Sequence, residues 1–204
     1  MSYLEKYHRK NGHGDLFEGF KKRIQVNEAI PVDFKFIHYN QPPESDFILD
    51  ALKSNNLPIT VEEFNELLSR ITQNDLERSI QFLNDLYQTN TNDRLRFTLE
   101  SKEHCSKNQD NGFPNTVYTD DSLTIKIDPQ HAYTGVAAYS SHGELSVHPI
   151  VLIEEKKLPI LGHEVGHGIV GYGHHEPRNC IMDGGAPTTD FCSEDKHRLQ
   201  RLLL

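Results

Sequence analysis

The strongest constraint on this chain is a short segment in its last quarter, where two histidines four residues apart flank a glutamate. His163, Glu164 and His167 form the pattern H-E-x-x-H. Pro159 precedes them, and a proline in the first turn of a helix costs little, so we predict a helix from Pro159 onward. Residues four apart lie on one helix face, so both imidazoles could bind one ion while Glu164 stays free beside it. The alternative is a surface helix that carries two histidines by chance.

A third ligand can come from the residues that come after this helix. Gly171 is able to end the helix and turn the chain, and His174 lies three residues further on. Three protein ligands and a water molecule are the usual arrangement around a catalytic zinc ion. We therefore predict one zinc ion held by His163, His167 and His174, with Glu164 as the general base.

The segment resembles the metzincin clan of zinc metallopeptidases, whose pattern H-E-x-x-H-x-x-G-x-x-H is followed by a methionine turn. The resemblance implies peptide-bond hydrolysis and assigns Met182 to the methionine beneath the metal. The clan pattern has two residues before the glycine, whereas this chain has three, residues 168–170. One extra helical residue rotates the rest of the helix by about 100°. Either the helix end is bulged or tightened, or the third ligand is not His174 but its neighbour His175.

The residues after the third histidine resemble the archaemetzincin pattern, in which Cys-x4-Cys-x-Met comes next and four cysteines hold a second, structural zinc. In this chain His175 stands in the place of the first cysteine, and Cys180 is in register with the second. The resemblance implies a second zinc site of the Cys2His2 type, formed by His175, Cys180, Cys192 and His197. A Cys180–Cys192 disulfide and two free thiols are the alternatives.

Alternating apolar residues predict the strands of the domain. They favour strands at 31–39, 94–101 and 123–127, and strands or a hairpin at 136–139 and 144–154. In metzincins an edge strand near the metal pairs with extended substrate. The resemblance implies that residues 135–140 or 144–153 supply that edge here.

Capping patterns predict two helices between the first two strands. Thr60 with Glu63 forms a capping box that opens a helix through about Ile71. Asn74 with Glu77 repeats the signal and opens a second helix. That second helix and the strand after it are similar to the upper subdomain of pappalysin-type metzincins.

These elements predict an α+β, metzincin-like fold. We expect an N-terminal mixed, twisted sheet with helices and the active-site helix, followed by a small, mostly irregular C-terminal subdomain. A closing helix capped by Ser193 ends that subdomain. The predicted divisions are an extension over residues 1–30 and one catalytic domain over residues 31–204. Within that domain the upper subdomain runs to about residue 171 and the lower one spans residues 172–204.

Length and composition indicate the number of domains and exclude some classes of partner. A chain of 204 residues and 23.4 kDa is ordinarily one domain. The net charge of −9 argues against nucleic acid or an anionic membrane surface as a partner. No run of 18 apolar residues is present, and the N-terminus has no apolar signal core, so we expect an intracellular protein unless the chain is a processed form. The isolated His131, His142 and His148 are predicted to be packing or surface residues.

A zinc-dependent endopeptidase acting on peptides or proteins as a monomer is the leading prediction. Two other classes remain open. A gluzincin-type peptidase would take its third ligand from a downstream glutamate such as Glu194, and a non-catalytic binding module would keep zinc for shape alone. The intact Glu164 favours catalysis, because a purely structural site needs no general base.

Overall fold

The computed structural model of the chain describes residues 14–107, 122–131, 138–141, 144–167, 180–183 and 188–202. Its helices are α1 (Gly14–Gln25), α2 (Asp46–Ser54), α3 (Val61–Ser69), α4 (Gln73–Thr91), α5 (Ile150–Ile153), α6 (Leu158–Val165) and α7 (Ser193–Leu202). Its strands are β1 (Ile30–Tyr39), β2 (Phe97–Lys107), β3 (Leu123–Ile127), β4 (Ala138–Ser141) and β5 (Glu144–Val147). The α+β class that the sequence predicts is confirmed.

In the part of the chain that the structure describes, the strands form one mixed sheet in the order β2-β1-β3-β5-β4. The first four strands in this order are parallel to one another. Strand β4, at the edge, pairs antiparallel with β5. Along β1, Ile30, Val32 and Phe34 alternate toward the main core and are fully buried. Helices α4 and α6 contribute to the same core, so the sheet supports the helix that carries H-E-x-x-H.

Local capping explains where two of the helices begin. The predicted capping box of α3 is confirmed, with Thr60 accepting from the Glu63 amide and the Glu63 carboxylate accepting from Thr60. The predicted start of α4 at Asn74 is wrong, because its N-cap is Thr72, which exchanges the same pair of hydrogen bonds with Asp75. Asp75 therefore fills the position that a glutamate usually occupies in a capping box.

Two strand boundaries and one helix differ from the prediction. Strand β2 begins at Phe97 and continues to Lys107, because pairing with all of β1 extends it into a polar stretch. The strand predicted at 144–154 ends at Val147, since Pro149 starts the short helix α5. Helix α2 was not predicted, and its Leu52 packs in a second core cluster behind the sheet.

Residues 14–25 of the predicted N-terminal extension form helix α1. Phe20 of α1 is buried in the main core, although Gly14 and Gly19 lie within the helix. The division between an extension and a catalytic domain stays a prediction. Each of the described helices is too short or too polar to cross a membrane.

Two predicted packing histidines, His131 and His148, lie buried near the carboxyl ends of β3 and β5. Burial lowers the pKa of His131 to about 4. Burial is the largest cause that lowers the pKa of His148 to about 3, and electrostatic repulsion from the nearby His131 and Lys157 adds to it. The His148 Nδ1 atom also accepts from the amide of Ile150, at 3.3 Å, at the start of α5. Both rings are therefore neutral in the folded chain at physiological pH.

We expect these buried histidines to make the fold acid-sensitive. The unfolded chain binds a proton at His148 near pH 6.5, whereas the folded chain does so only near pH 3. The stabilisation is therefore present above about pH 6.5 and falls by about 1.4 kcal/mol per pH unit as the pH decreases toward 3. Urea unfolding between pH 7 and 4 measures the slope. His148→Asn should reduce the slope by about 1.4 kcal/mol per pH unit, with the His131 contribution remaining, and the exposed control Gln200→Ala should leave it unchanged; equal slopes in both variants would contradict this explanation.

Candidate metal centre

Helix α6, together with the helical turn that continues it to His167, brings the two motif histidines together. The Nε2 atoms of His163 and His167 are 2.9 Å apart, and the two rings meet edge to face at a centroid distance of 4.5 Å. A tetrahedral ion with bonds of about 2.0–2.1 Å separates two ligand nitrogens by about 3.3–3.4 Å. The two Nε2 atoms therefore lie within a few tenths of an ångström of the separation that a shared zinc ion requires.

A backbone carbonyl fixes which nitrogen of His163 faces its partner. The Nδ1 atom of His163 lies 2.6 Å from the carbonyl oxygen of Ile181. A carbonyl only accepts, so Nδ1 carries the proton and Nε2 keeps its lone pair. A metal-ligating histidine ordinarily donates its other ring N–H in this way. The tautomer of His163 is thus the one that a metal ligand needs.

Glu164 completes the group. Its Oε1 atom is 3.8 Å from Nε2 of His163, and its side chain is 5% exposed. Its Oε2 atom is buried and has no hydrogen-bond partner among the described residues. Burial raises the pKa of the Glu164 carboxyl to about 8. His163, Glu164 and His167 each bring one ligand atom within 4.8 Å of the others, so the group could hold a metal ion.

Close packing holds α6 in position. Gly162 is closely packed: a Cβ atom there would lie 2.7 Å from Ile181 Cδ1 and 2.7 Å from Leu86 Cδ2, so a side chain would force these neighbours to move. The buried Tyr87 of α4 donates its hydroxyl to the Gly162 carbonyl at 3.1 Å. The residue just before His163 is therefore fixed by α4 on one side and by Ile181 on the other.

The helix changes pitch at its described end, directly before residues 168–170, which include the predicted extra residue. Gly166 and His167 adopt the wider π-helical winding. A π-bulge accommodates one extra residue in an α-helix. The predicted third ligand, His174, and its alternative, His175, lie outside the described residues, as does Gly171.

A second group of possible metal ligands lies in the C-terminal segment. Cys180, Cys192 and Asp195 each bring one ligand atom within 4.8 Å of the others. Both cysteines are free, and their Sγ atoms are 3.9 Å and 3.3 Å from Asp195 Oδ2. Burial raises the pKa of the Cys180 thiol. The predicted ligand His197 is exposed and does not belong to this group, while His175 is not described.

The sequence pattern did not identify Asp195 or the Ile181 carbonyl. Asp195 lies three residues after Cys192, and the side chains of residues at that spacing meet at a helix start. That spacing is the signal that could have indicated Asp195. Main-chain acceptors such as the Ile181 carbonyl have no side-chain signal. Met182, predicted to lie beneath the metal, is fully buried and comes directly after Ile181.

No family model matches the chain, and no curated protein matches it.

Proposed function

We propose that this protein is a zinc-dependent endopeptidase of the metzincin type. The observation that carries the proposal is the convergence of the two Nε2 atoms of His163 and His167, 2.9 Å apart, beside the buried carboxyl of Glu164. Imidazole nitrogens suit zinc, and hydrolysis requires an adjacent carboxyl that need not ligate the metal.

In this proposal each side chain has one task. His163 and His167 hold the ion, and the Ile181 carbonyl orients the first of them. When bound, zinc lowers the pKa of a coordinated water molecule and polarises the scissile carbonyl. A cation held by the two histidines would favour the charged form of Glu164, which then receives the proton of the attacking water on a carboxylate oxygen and donates it to the leaving amine. Its burial excludes bulk water, which favours transfer between these partners.

His174 is the proposed third ligand. The wider winding at Gly166 and His167 supports it, because a π-helical turn takes up one more residue than an α-helical turn. A gluzincin-type alternative would use Glu194, which belongs to the first turn of α7. Loss of zinc in His174→Ala together with its retention in Glu194→Ala supports the proposal, and the reverse result favours the gluzincin arrangement.

The edge strand β4 is the proposed substrate platform. It is the last strand in the sheet order and pairs with β5 on one side, and α6 packs beside both strands. An extended peptide can add to such an edge through main-chain hydrogen bonds alone. Backbone pairing needs no particular side chain, so this platform suits many peptide sequences.

A second, structural zinc site is proposed at the thiol group. Cys180, Cys192 and Asp195 offer two sulfur ligands and one oxygen ligand, and His175 remains the proposed fourth. Thiolate ligands favour zinc over magnesium or calcium. Asp195 therefore takes the position that the sequence suggested for His197.

Metal counting and a cleavage assay on the full chain test the proposed function. The purified protein, dialysed against zinc, should contain one or two zinc ions per chain and should cleave a random peptide library. Chelation should abolish cleavage, and zinc should restore it. Bound zinc without cleavage of any library peptide would support the non-catalytic alternative, and no bound zinc would exclude both.

A further inference from the structure

The main chain at Ile181 links the metal group to the C-terminal segment. The carbonyl of Ile181 accepts from Nδ1 of His163 at 2.6 Å, and its amide donates to the carbonyl of Asp190 at 2.7 Å. The Ile181 side chain also approaches the backbone at Gly162. A shift at residue 190 would therefore move residue 181, whose carbonyl orients the His163 ring.

Three donors hold the side chain of Asp190. Its Oδ1 atom accepts from the amide of Phe191 at 2.8 Å and from Asn90 Nδ2 at 3.3 Å. Its Oδ2 atom accepts from Lys196 Nζ at 2.6 Å. These donors belong to α4, to α7 and to the residue that follows Asp190, so one carboxylate connects three parts of the structure.

Phe191, the residue after Asp190, supports α6 from another side. Phe191 is buried and packs edge to face on Tyr87, at a centroid distance of 5.3 Å. Tyr87 in turn donates to the Gly162 carbonyl. Residues 190 and 191 thus reach α6 by two routes, one through Ile181 and one through Tyr87. Both routes end within one residue of His163.

We propose that Asp190 is a positioning residue for the metal group, which acts through the Ile181 carbonyl to hold His163 with Nδ1 protonated and Nε2 facing His167. The inference rests on the proposed function for its purpose, but the orientation of His163 can be measured without metal. Asp190 itself touches neither the motif side chains nor any reacting atom in this proposal. Its effect is on ligand geometry.

Three variants of the full-length protein test the proposal: Asp190→Ala, Asp190→Asn and the exposed control Glu66→Ala. Two measurements are made, the His163 tautomer by ¹H–¹⁵N spectra of the metal-free protein, and zinc affinity by chelator competition. Loss of an outer partner of a metal ligand typically weakens metal binding by about 10- to 100-fold. The direct partner of His163 is the Ile181 carbonyl, which Asp190→Ala leaves in place, so we expect a loss at the lower end of that range, about 10-fold, with a mixed His163 tautomer. Asparagine keeps the Oδ1 acceptor, so Asp190→Asn should recover most of both.

The outcomes separate this inference from the proposed function. A wild-type tautomer and wild-type zinc affinity in Asp190→Ala would overturn the inference, even if its melting temperature falls. If the wild-type protein binds no zinc, the proposed function fails and the tautomer alone decides this inference. Should Asp190→Ala not fold, Asn90→Ala removes a donor to Oδ1 and is judged by the same tautomer measurement.

Discussion

Peptide hydrolysis should fall by about 10²- to 10⁴-fold when Glu164 is replaced by glutamine, because that is the usual contribution of a positioned general base. Glutamine has nearly the same shape but cannot accept a proton from water at neutral pH. The side chain is buried, and burial already disfavours the charged form of Glu164, so an uncharged replacement should not weaken the fold. Zinc content should remain at the wild-type level, which places the loss in chemistry and not in metal binding.

The matched control for this variant is Glu155→Gln, which makes the same substitution at an exposed position just before α6. Its cleavage rate should equal that of the wild type. Steady-state kinetics on one peptide substrate, with zinc measured in the same samples, compare the two variants. Cleavage by Glu164→Gln at the wild-type rate would show that another group accepts the proton.

Loss of one imidazole should remove most of the affinity for zinc. Binding free energies of about 10–16 kcal/mol for four-ligand zinc sites correspond to about 3 kcal/mol per ligand, or at least about 10²-fold in affinity. We expect this loss for His163→Ala, which removes both the Nε2 ligand and the hydrogen bond to the Ile181 carbonyl. His167→Ala should show a similar loss while leaving that hydrogen bond in place.

His104→Ala is the control for the histidine variants, because His104 is exposed on β2 and lies outside both metal groups. Chelator competition at fixed pH measures the zinc affinity of each protein. Unchanged affinity in both His163→Ala and His167→Ala would mean that the two rings do not share an ion. The proposed function would then be lost.

Local signals predicted the parts of the structure that depend on local chemistry. The capping box at Thr60 and the strand at 123–127 result from neighbouring residues alone, and both are confirmed. The start of α4 was mispredicted because Thr72-x-x-Asp75 and Asn74-x-x-Glu77 both fit a cap, and only one of them can begin the helix. Strand β2 extends further than its polar composition suggests because β1 pairs with its full length.

The candidate site also combines features set by local sequence with features set by distant packing. The face shared by His163 and His167 results from helical periodicity, and the structure brings their Nε2 atoms together. The carbonyl acceptor at Ile181 comes from 18 residues further along the chain, and every residue carries a carbonyl. Sequence pattern could not select it, since the choice depends on how the C-terminal segment packs against α6.

The close packing at Gly162 bears on which ions the protein would accept. With Ile181 on one side of α6 and Tyr87 on the other, the backbone next to His163 is held in place. Larger cations such as Ca²⁺ need six to eight oxygen donors at longer distances, and a rigid pair of nitrogens cannot supply them. Among first-row transition ions, however, copper binds nitrogen donors more tightly than zinc. Discrimination against copper would therefore depend on the supply of each metal in the cell and not on the shape of this cleft.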